Sequence, residues 1–190
     1  VKDGATATLN GVGGNLAVDK INVTNGSSAN LSGVDGNVSG KSLTVQGANS
    51  DFTVSGPIGG DLTLDDTFEV KDGATATLNG VGGNLAVNNI DVTNGSSANV
   101  NDVTGDVKGA SLTVDNSDFS VNDPIGGNLA VDNINVTNGS KAKLGGVNGN
   151  VSGKSIIVQG ENSDFSVSGP IDGDLSVDNI QVTNGSSATF

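Results

Sequence analysis

The 190-residue sequence contains no cysteine, methionine, tryptophan, tyrosine, histidine or arginine. Without histidine and cysteine, the usual nucleophile and base pairs of enzymes are missing, so we expect no catalytic activity. Nucleic acids and anionic membrane surfaces are bound mainly through lysine and arginine, whereas this chain has eight lysines and a net charge of −13. No apolar run approaches the roughly 18 residues that span a bilayer. The composition therefore argues against an enzyme, a nucleic-acid-binding protein and an inserted membrane protein.

Glycine and small polar residues are abundant, and the sequence repeats itself. The 30 glycines and the few bulky apolar side chains would by themselves suggest disorder. However, Val1–Val18 returns letter for letter at Val70–Val87. A shorter unit of about 22 residues underlies this long repeat, and such a fixed period indicates a repeat fold. The units begin at Ile21, Leu43, Phe68, Ile90, Leu112, Ile134, Ile156 and Ile180.

Each unit contains three short alternating segments, as in INVT, ANLS and NVS, separated by glycine, asparagine, aspartate or proline. Short β-branched segments broken by glycine favour strands over a helix, and Asn-Gly or Gly-Gly pairs mark tight corners. Strands of this kind pair in parallel with their copies one coil away, about 4.8 Å along the axis. The sequence therefore predicts an all-β fold, a triangular parallel β-solenoid (β-helix) of about nine coils of about 22 residues.

Alignment of the units shows which side chains point inward. One column is Val1, Val23, Val45, Val70, Val92, Val114, Val136, Val158 and Val182. A second column is Leu16, Val38, Leu62, Leu85, Val107, Leu129, Val151 and Leu175. A third column alternates in size: Ala7, Ala29, Phe52, Ala76, Ala98, Phe119, Ala142, Phe165 and Ala188. These columns are the predicted core.

The phenylalanine coils share two further features. Each of them follows a coil with glycine at its last inward position, and we expect the ring to fill the volume that this glycine leaves. These glycines are Gly40, Gly109 and Gly153. The phenylalanine coils also contain the three prolines, each one residue before an inward isoleucine at the second corner, where a missing N–H is tolerated. The prolines are Pro57, Pro124 and Pro170.

A column of asparagine and aspartate ends the second corner of each coil. It consists of Asn15, Asn37, Asp61, Asn84, Asp106, Asn128, Asn150 and Asp174. Such side chains commonly bond to turn backbone, which favours a stacked ladder. Calcium binding is the alternative, because calcium prefers oxygen ligands. Asp61 with Asp65, and Asp174 with Asp178, place two carboxylates on one outward strand face, although the Gly-Gly-x-Gly-x-Asp calcium motif is absent.

The outward strand positions are polar. Lys141 lies in a column between Asp118 and Asp164 of the adjoining coils, where cross-strand ion pairs are expected. Several Asn-x-Ser/Thr sequons are acceptor sequences for glycans. They include Asn22, Asn25, Asn94, Asn138 and Asn184. The surface is thus predicted to be mainly a solvated strand face.

With these columns aligned, the whole chain resembles the β-solenoid stalks of prokaryotic surface proteins, including filamentous adhesins and surface-layer proteins. The stretches GNLAVDNINVTNGS and GNVSGKSLTVQG are also similar in rhythm to the bactofilins, polymerising triangular solenoids of the bacterial cytoplasm, whose coils are shorter. The resemblance implies a structural role and a right-handed coil, which is the usual hand of parallel crossovers. Together with the absence of cysteine and the richness in Asn, Ser and Thr, it indicates an extracellular or cell-surface location.

The function predicted from these features is that of a rigid rod in an extracellular filament, surface layer or adhesin stalk. A calcium- or glycan-binding solenoid module and a cytoplasmic bactofilin-like polymer are the alternatives. We expect residues 1–190 to form a single continuous solenoid, an excerpt of a longer array, because the repeat is under way at both ends. The end coils would then expose Val1, Ala7, Ala188 and Phe190, which predicts end-to-end stacking with another copy or continuation into further repeats.

Overall fold

The computed structural model describes residues 1–190, which form strands and turns and no helix. Eighteen strands, numbered β1 to β18 in chain order, form two parallel sheets. Each strand pairs with the equivalent strand one coil away, so the chain is a parallel β-solenoid, as predicted. One sheet stacks nine strands, which corresponds to about eight turns of about 22 residues, close to the predicted nine coils. The right-handed sense and the triangular outline stay predictions.

The first sheet, called here the short-strand sheet, contains one strand of three or four residues per coil. Its strands are β1 (Thr6–Leu9), β4 (Ser28–Leu31), β6 (Asp51–Val54), β8 (Thr75–Leu78), β10 (Ser97–Val100), β12 (Asp118–Val121), β14 (Lys141–Leu144), β16 (Asp164–Val167) and β18 (Ser187–Thr189). Neighbouring strands pair position for position with no register shift. Because side chains alternate along a strand, the second and fourth residues face the core and the first and third face outward.

The second sheet, the long-strand sheet, contains longer strands. In the first coil it is divided into β2 (Leu16–Ala17) and β3 (Lys20–Thr24), which both pair with the next strand. The remaining strands are β5 (Val38–Gln46), β7 (Leu62–Lys71), β9 (Leu85–Thr93), β11 (Val107–Asp115), β13 (Leu129–Thr137), β15 (Val151–Gln159) and β17 (Leu175–Thr183). Within each long strand the alternation of inward and outward side chains shifts by one residue. On β9, for example, the successive buried residues Val87 and Ile90 are three residues apart instead of two.

The prediction of three separate strands per coil was wrong in detail. The VS of the segment NVS and the segment LTVQ lie on one strand, β5, with a shift in pairing between Gly40 and Ser42. No Asn-Gly or proline interrupts the chain between these segments, so the strand continues through the corner. The remaining side of the coil is a column of single-residue bridges between glycine-rich turns. These bridges join Val12, Val34, Ile58, Val81 and Val103, and then Ile125, Val147 and Ile171.

The core contains the predicted columns. Strand register places the valines directly above one another, and every member from Val23 to Val158 is fully buried. The leucine and valine column and the alanine and phenylalanine column also stack in register. In total, 43 buried residues form one hydrophobic cluster. Since full burial of a valine or leucine contributes about 1.5–3 kcal/mol relative to exposure, this cluster is the main stabilising feature of the coil.

The phenylalanines are accommodated differently from the prediction. Phe119 pairs with Ala98 on one side and Ala142 on the other, so small neighbours in the same column make room for the ring. A Cβ added at Gly109 would lie 2.4 Å from the carbonyl oxygen of Val87, and its three nearest atoms are all backbone atoms of the preceding coil. The same holds at Gly40 and Gly153, which face the carbonyl oxygens of Val18 and Val131. Glycine is therefore needed at these positions because the backbones of successive coils approach closely at the corner. The predicted explanation, that glycine leaves volume for the phenylalanine ring, was wrong.

The prolines lie where they were predicted. Each one immediately precedes a bridging isoleucine, outside both sheets. The Pro57 carbonyl accepts the N–H of Val34 (3.1 Å), and the Pro170 carbonyl accepts the N–H of Val147 (2.9 Å). Proline is therefore placed where its carbonyl takes part in the stack and its ring interrupts no sheet pairing.

Candidate functional site

The Asn/Asp column forms an unbroken ladder along the coil. In each step the backbone N–H of one ladder residue donates to the side-chain oxygen of the ladder residue one coil earlier. The seven N···O distances, from Asn37 onto Asn15 through to Asp174 onto Asn150, lie between 2.7 and 2.9 Å. The ladder interpretation is therefore confirmed, and these side chains satisfy turn backbone in the way that Asn and Asp commonly do.

A glycine precedes every ladder residue, and the ladder explains it. A Cβ added at Gly83 would lie 2.3 Å from Oδ1 of Asp61, and one added at Gly127 would lie 2.2 Å from Oδ1 of Asp106. At Gly14, in the first coil, no atom lies within 4 Å, because no earlier coil supplies a side chain there. The repeated Gly-Asn and Gly-Asp pairs thus reflect the space that the ladder oxygens occupy.

One ladder carboxylate is held in its ionised form. Oδ1 of Asp106 accepts the backbone N–H of Asn128 at 2.8 Å, and Oδ2 lies 2.8 Å from Nζ of Lys108. The backbone hydrogen bond from Asn128, followed by the bond from Lys108, lowers the pKa of Asp106 below its usual value. These hydrogen bonds are made to the charged carboxylate of Asp106. They therefore stabilise the fold at neutral pH, where the carboxylate is ionised.

The corner of the long-strand sheet carries a second polar column, in which each of two lysines lies between aspartates of the adjoining coils. The column is Asp19, Lys41, Asp65, Asn88, Ala110, Asp132, Lys154 and Asp178. Nζ of Lys154 lies 2.7 Å from Oδ2 of Asp132, and Asp178 lies on the other side, one coil further on. The bond and charge of Asp132, with a smaller contribution from Asp178, raise the pKa of Lys154. Lys41 repeats this arrangement, with its Nζ 3.6 Å from Oδ2 of Asp19. Sequence reasoning missed both ion pairs, although the lysines lie one coil after their aspartates in the sequence.

The four aspartates considered for calcium fall in these two different columns. Asp61 and Asp174 belong to the ladder, and Oδ1 of Asp61 accepts both the backbone N–H (2.7 Å) and the side-chain amide (3.1 Å) of Asn84. Asp65 lines a surface depression together with Lys41, and Asp178 lies beside Lys154. No group of three or more acidic side chains lies close enough together to hold a metal ion. Each candidate pair thus has neighbours within the chain that compete for its carboxylates.

The corner between the two sheets contains a residue in the left-handed conformation in every coil, either Asn or Asp. In four coils it is the Asn of an Asn-Gly pair, as at Asn94. Asn94 and Gly95 have φ values of 58° and 75°, a region that these two residue types tolerate best. The pKa of Asp72 at the equivalent corner is lowered by hydrogen bonds from the side chains of Asn94 and then Gln46. The serines that follow the turn are buried: Ser27, Ser50, Ser96, Ser117, Ser140 and Ser163. In the sequons at Asn25, Asn94 and Asn138 the acceptor asparagine is exposed and the sequon serine is buried.

The outward lysines of β14 form no ion pair within the chain. Strand register places Lys141 between Asp118 and Asp164, as predicted. However, the five salt bridges of the structure involve other lysines, so the expected cross-strand pairs are not formed. Lys143, the other outward residue of β14, is also exposed and unpaired. This row is the one basic row on the short-strand sheet.

A shallow cleft of about 420 Å³ runs beside the ladder over four coils. Asp106 and Asp174 belong to its first and last coils, the amides of Asn128 and Asn150 lie between them, and Lys108 projects from β11. The lining offers hydrogen-bond donors and acceptors.

The end coils expose the apolar residues that the interior coils bury. Val1 is 38% exposed and Phe190 is 42% exposed, although the Phe190 ring centroid lies 5.7 Å from that of Phe165. Ala7 is exposed, and Ala188 is partly buried against the core. All four predicted end residues therefore lie on the end coils, three of them exposed.

Comparisons with protein-family models, with curated proteins and with solved structures find no match for this chain. A membrane-spanning helix is not found in this structure.

Proposed function

We propose that this chain is a structural rod, a stiff segment of a filament, surface layer or stalk at the cell surface. The observation that carries the proposal is the continuity of the ladder and the core columns through every coil. Each coil is bonded to its neighbours at the same positions, so the rod can lengthen without a new core. The cell-surface location rests on composition and on the resemblance to surface stalks.

The end faces are the surfaces through which such a rod is extended. β1 and β18 are the outermost strands of the short-strand sheet, and each has one edge without a partner strand. Apolar residues lie next to these edges, including Leu9 (46% exposed) at one end and Ile180 (43% exposed) at the other. Unpaired strand edges beside exposed apolar side chains bind further strands. We therefore expect another copy of the chain to stack end to end on these faces.

The test is the size distribution of residues 1–190 as a function of concentration. Light scattering and negative-stain electron microscopy are expected to show particles longer than the single unit of eight turns, which is roughly 38 Å at about 4.8 Å per coil. Phe190→Lys should shorten them, because a charge would be buried at the joint. Gln181→Lys, which adds the same charge at an outward position of the same end, is the matched control and should have no effect. A strictly monomeric particle at high concentration would contradict the proposal.

A further inference from the structure

One of the three prolines follows an aspartate, on the surface of the rod. Glycine precedes Pro57 and Pro170. Asp123 precedes Pro124, and the chain contains no other Asp-Pro pair. Asp123 and Pro124 are both exposed and lead from β12 to the bridging residue Ile125. The peptide bond between them is therefore open to water and belongs to neither sheet.

The fold uses the backbone of Asp123 and leaves its carboxyl group free. The Asp123 N–H donates to the Asn101 carbonyl of the preceding coil at 2.8 Å. The five salt bridges of the structure involve other residues. The hydrogen bonds that carboxylates accept also involve other residues. Both carboxyl oxygens of Asp123 are therefore available to react.

The backbone carbonyl of Asp123 packs against a glycine of the next coil. A Cβ added at Gly145 would lie 2.6 Å from the carbonyl carbon of Asp123 and 2.8 Å from its oxygen. Asparagine occupies the same position in the three preceding coils, at Asn79, Asn101 and Asn122. The Asp123 carbonyl also accepts no backbone hydrogen bond. It therefore lacks both a backbone donor and a side chain at the position that packs against it.

We propose that the bond between Asp123 and Pro124 is an acid-labile bond, cleaved by the carboxyl group of Asp123 itself. A carboxyl oxygen forms a bond to the carbonyl carbon of the same residue, the carboxyl proton passes to the Pro124 nitrogen, and the C–N bond breaks. The products are a five-membered cyclic anhydride at Asp123 and a secondary amine at Pro124. One water molecule opens the anhydride, so the net change is hydrolysis of one peptide bond.

Proximity and the leaving group both favour this bond. Nucleophile and carbonyl belong to one residue, so no second molecule has to be brought into position. The proline nitrogen is a tertiary amide and leaves as a secondary amine, which is more basic than the primary amines released elsewhere. Glycine follows the exposed Asp172, so the leaving group there is the poorer one. Aspartate carboxyls become protonated only in acid, so we expect cleavage at about pH 3 and not at about pH 7.

A cut at this bond leaves the coils bonded to one another. It falls between β12 and β13, whereas β12 pairs with β14 and β11 pairs with β13 across the cut. The N–H of Gly126 donates to the Val103 carbonyl across it at 2.9 Å, and the ladder crosses it as well. We therefore expect residues 1–123 and 124–190 to stay together as one rod without a covalent link. Acid would turn a continuous rod into two segments that can come apart at one coil.

Mass spectrometry of the intact chain tests the cleavage. After incubation at about pH 3 we expect two products, residues 1–123 and 124–190, and no cut at the two Gly-Pro bonds. Asp123→Gly introduces the residue that precedes the other prolines and should abolish cleavage. Asp123→Glu should slow it by at least about tenfold, because the anhydride ring would need six atoms. Asp172→Asn, which removes the carboxyl group of another exposed aspartate, is the control and should be cleaved like the wild type.

The same incubation in urea shows whether the folded coil permits the reaction. If the bond is cut only after urea unfolds the chain, the fold protects it and the proposal is wrong. An intact chain in acid, or cleavage that persists in Asp123→Gly, would overturn it as well. Gel filtration of the cleaved sample at neutral pH tests the persistence of the rod. The two fragments should elute together in buffer and separately in urea, and separation in buffer would show that the cut breaks the rod.

Discussion

Asp91 is a half-buried carboxylate on β9, and its register partner in the preceding coil is Glu69. Burial is the main reason that the pKa of Asp91 is raised; the charge of Glu69 adds to the rise, and a hydrogen bond from Thr113 opposes it. A carboxyl whose pKa is higher in the folded than in the unfolded state stabilises the fold below the unfolded pKa. That stabilisation is lost as the pH rises through the folded pKa. At neutral pH the ionisation of Asp91 therefore opposes folding.

We expect Asp91→Asn to raise the melting temperature at pH 7, because the amide keeps the acceptor for Thr113 without the charge. The gain should shrink as the pH falls below the usual aspartate pKa, where the wild-type side chain is also neutral. Asp106→Asn is the control of opposite sign, since the lowered pKa of Asp106 means that its charged form stabilises the fold at neutral pH. Thermal melts between pH 3 and pH 7 would show the difference. A gain from Asp91→Asn that does not change with pH would contradict the assignment.

Two equivalent serines differ in their bonding. Oγ of Ser140 accepts the N–H of Ser117 at 3.1 Å and donates to the carbonyl oxygen of Thr137. Oγ of Ser27 is buried and has no partner. We expect Ser140→Ala to lower the free energy of unfolding by about 1–3 kcal/mol, because a buried N–H loses its acceptor. Ser27→Ala should be neutral or slightly stabilising, as alanine already occupies this position at Ala74. Urea denaturation compares the two, and equal losses would show that Ser27 does form a bond.

Among the turns between elements, the glycine before each ladder residue gives a matched pair of substitutions. Gly83→Ala would place Cβ 2.3 Å from Oδ1 of Asp61 and 2.9 Å from the backbone carbon of Gly60. We expect this change to cost about 1–3 kcal/mol of stability, because the ladder and backbone must shift. Gly14→Ala is at the same position of the repeat with no atom within 4 Å, so it should be nearly neutral. If both variants unfold at the same urea concentration, the ladder does not explain these glycines.

The elements show what the sequence can and cannot predict. The inward columns were predictable because a 22-residue period aligns apolar residues that must share one core, as Val23 and Val45 do. That β5 is a single strand could not be predicted. The inward and outward alternation of its side chains shifts near Gly40, and no turn residues in the sequence mark that shift. The reason for the glycine at position 109 could not be predicted either, because it depends on the Val87 carbonyl of the preceding coil, which lies against Gly109 in the folded chain.

Of the candidate sites, the ladder followed from known side-chain preferences at turns. The ion pairs at the corner of the long-strand sheet were not predicted. Lys154 and Asp132, for example, lie between the alternating segments that were aligned from the sequence, so their contact from coil to coil was overlooked. A prediction from periodicity thus locates residues in columns, but it does not show which neighbour in the column each charged side chain selects.

At the scale of the whole molecule, the distribution of acidic side chains predicts whether calcium stabilises the fold. The chain carries 21 acidic side chains, yet no three of them gather to form a metal site. We therefore expect the melting temperature to be the same in calcium, in magnesium at equal concentration and in chelator. The double variant Asp61→Asn with Asp65→Asn should respond in the same way as the wild type. A rise in melting temperature that is specific to calcium and is lost in this variant would establish the calcium alternative instead.

The ladder also gives the rod a direction. Every step has the N–H on the later coil and the accepting oxygen on the earlier coil, from Asn15 to Asp174. The two ends of any stack are therefore chemically different: one offers donors and the other offers acceptors. A coil added the wrong way round would set donor against donor or acceptor against acceptor, so growth has a head and a tail.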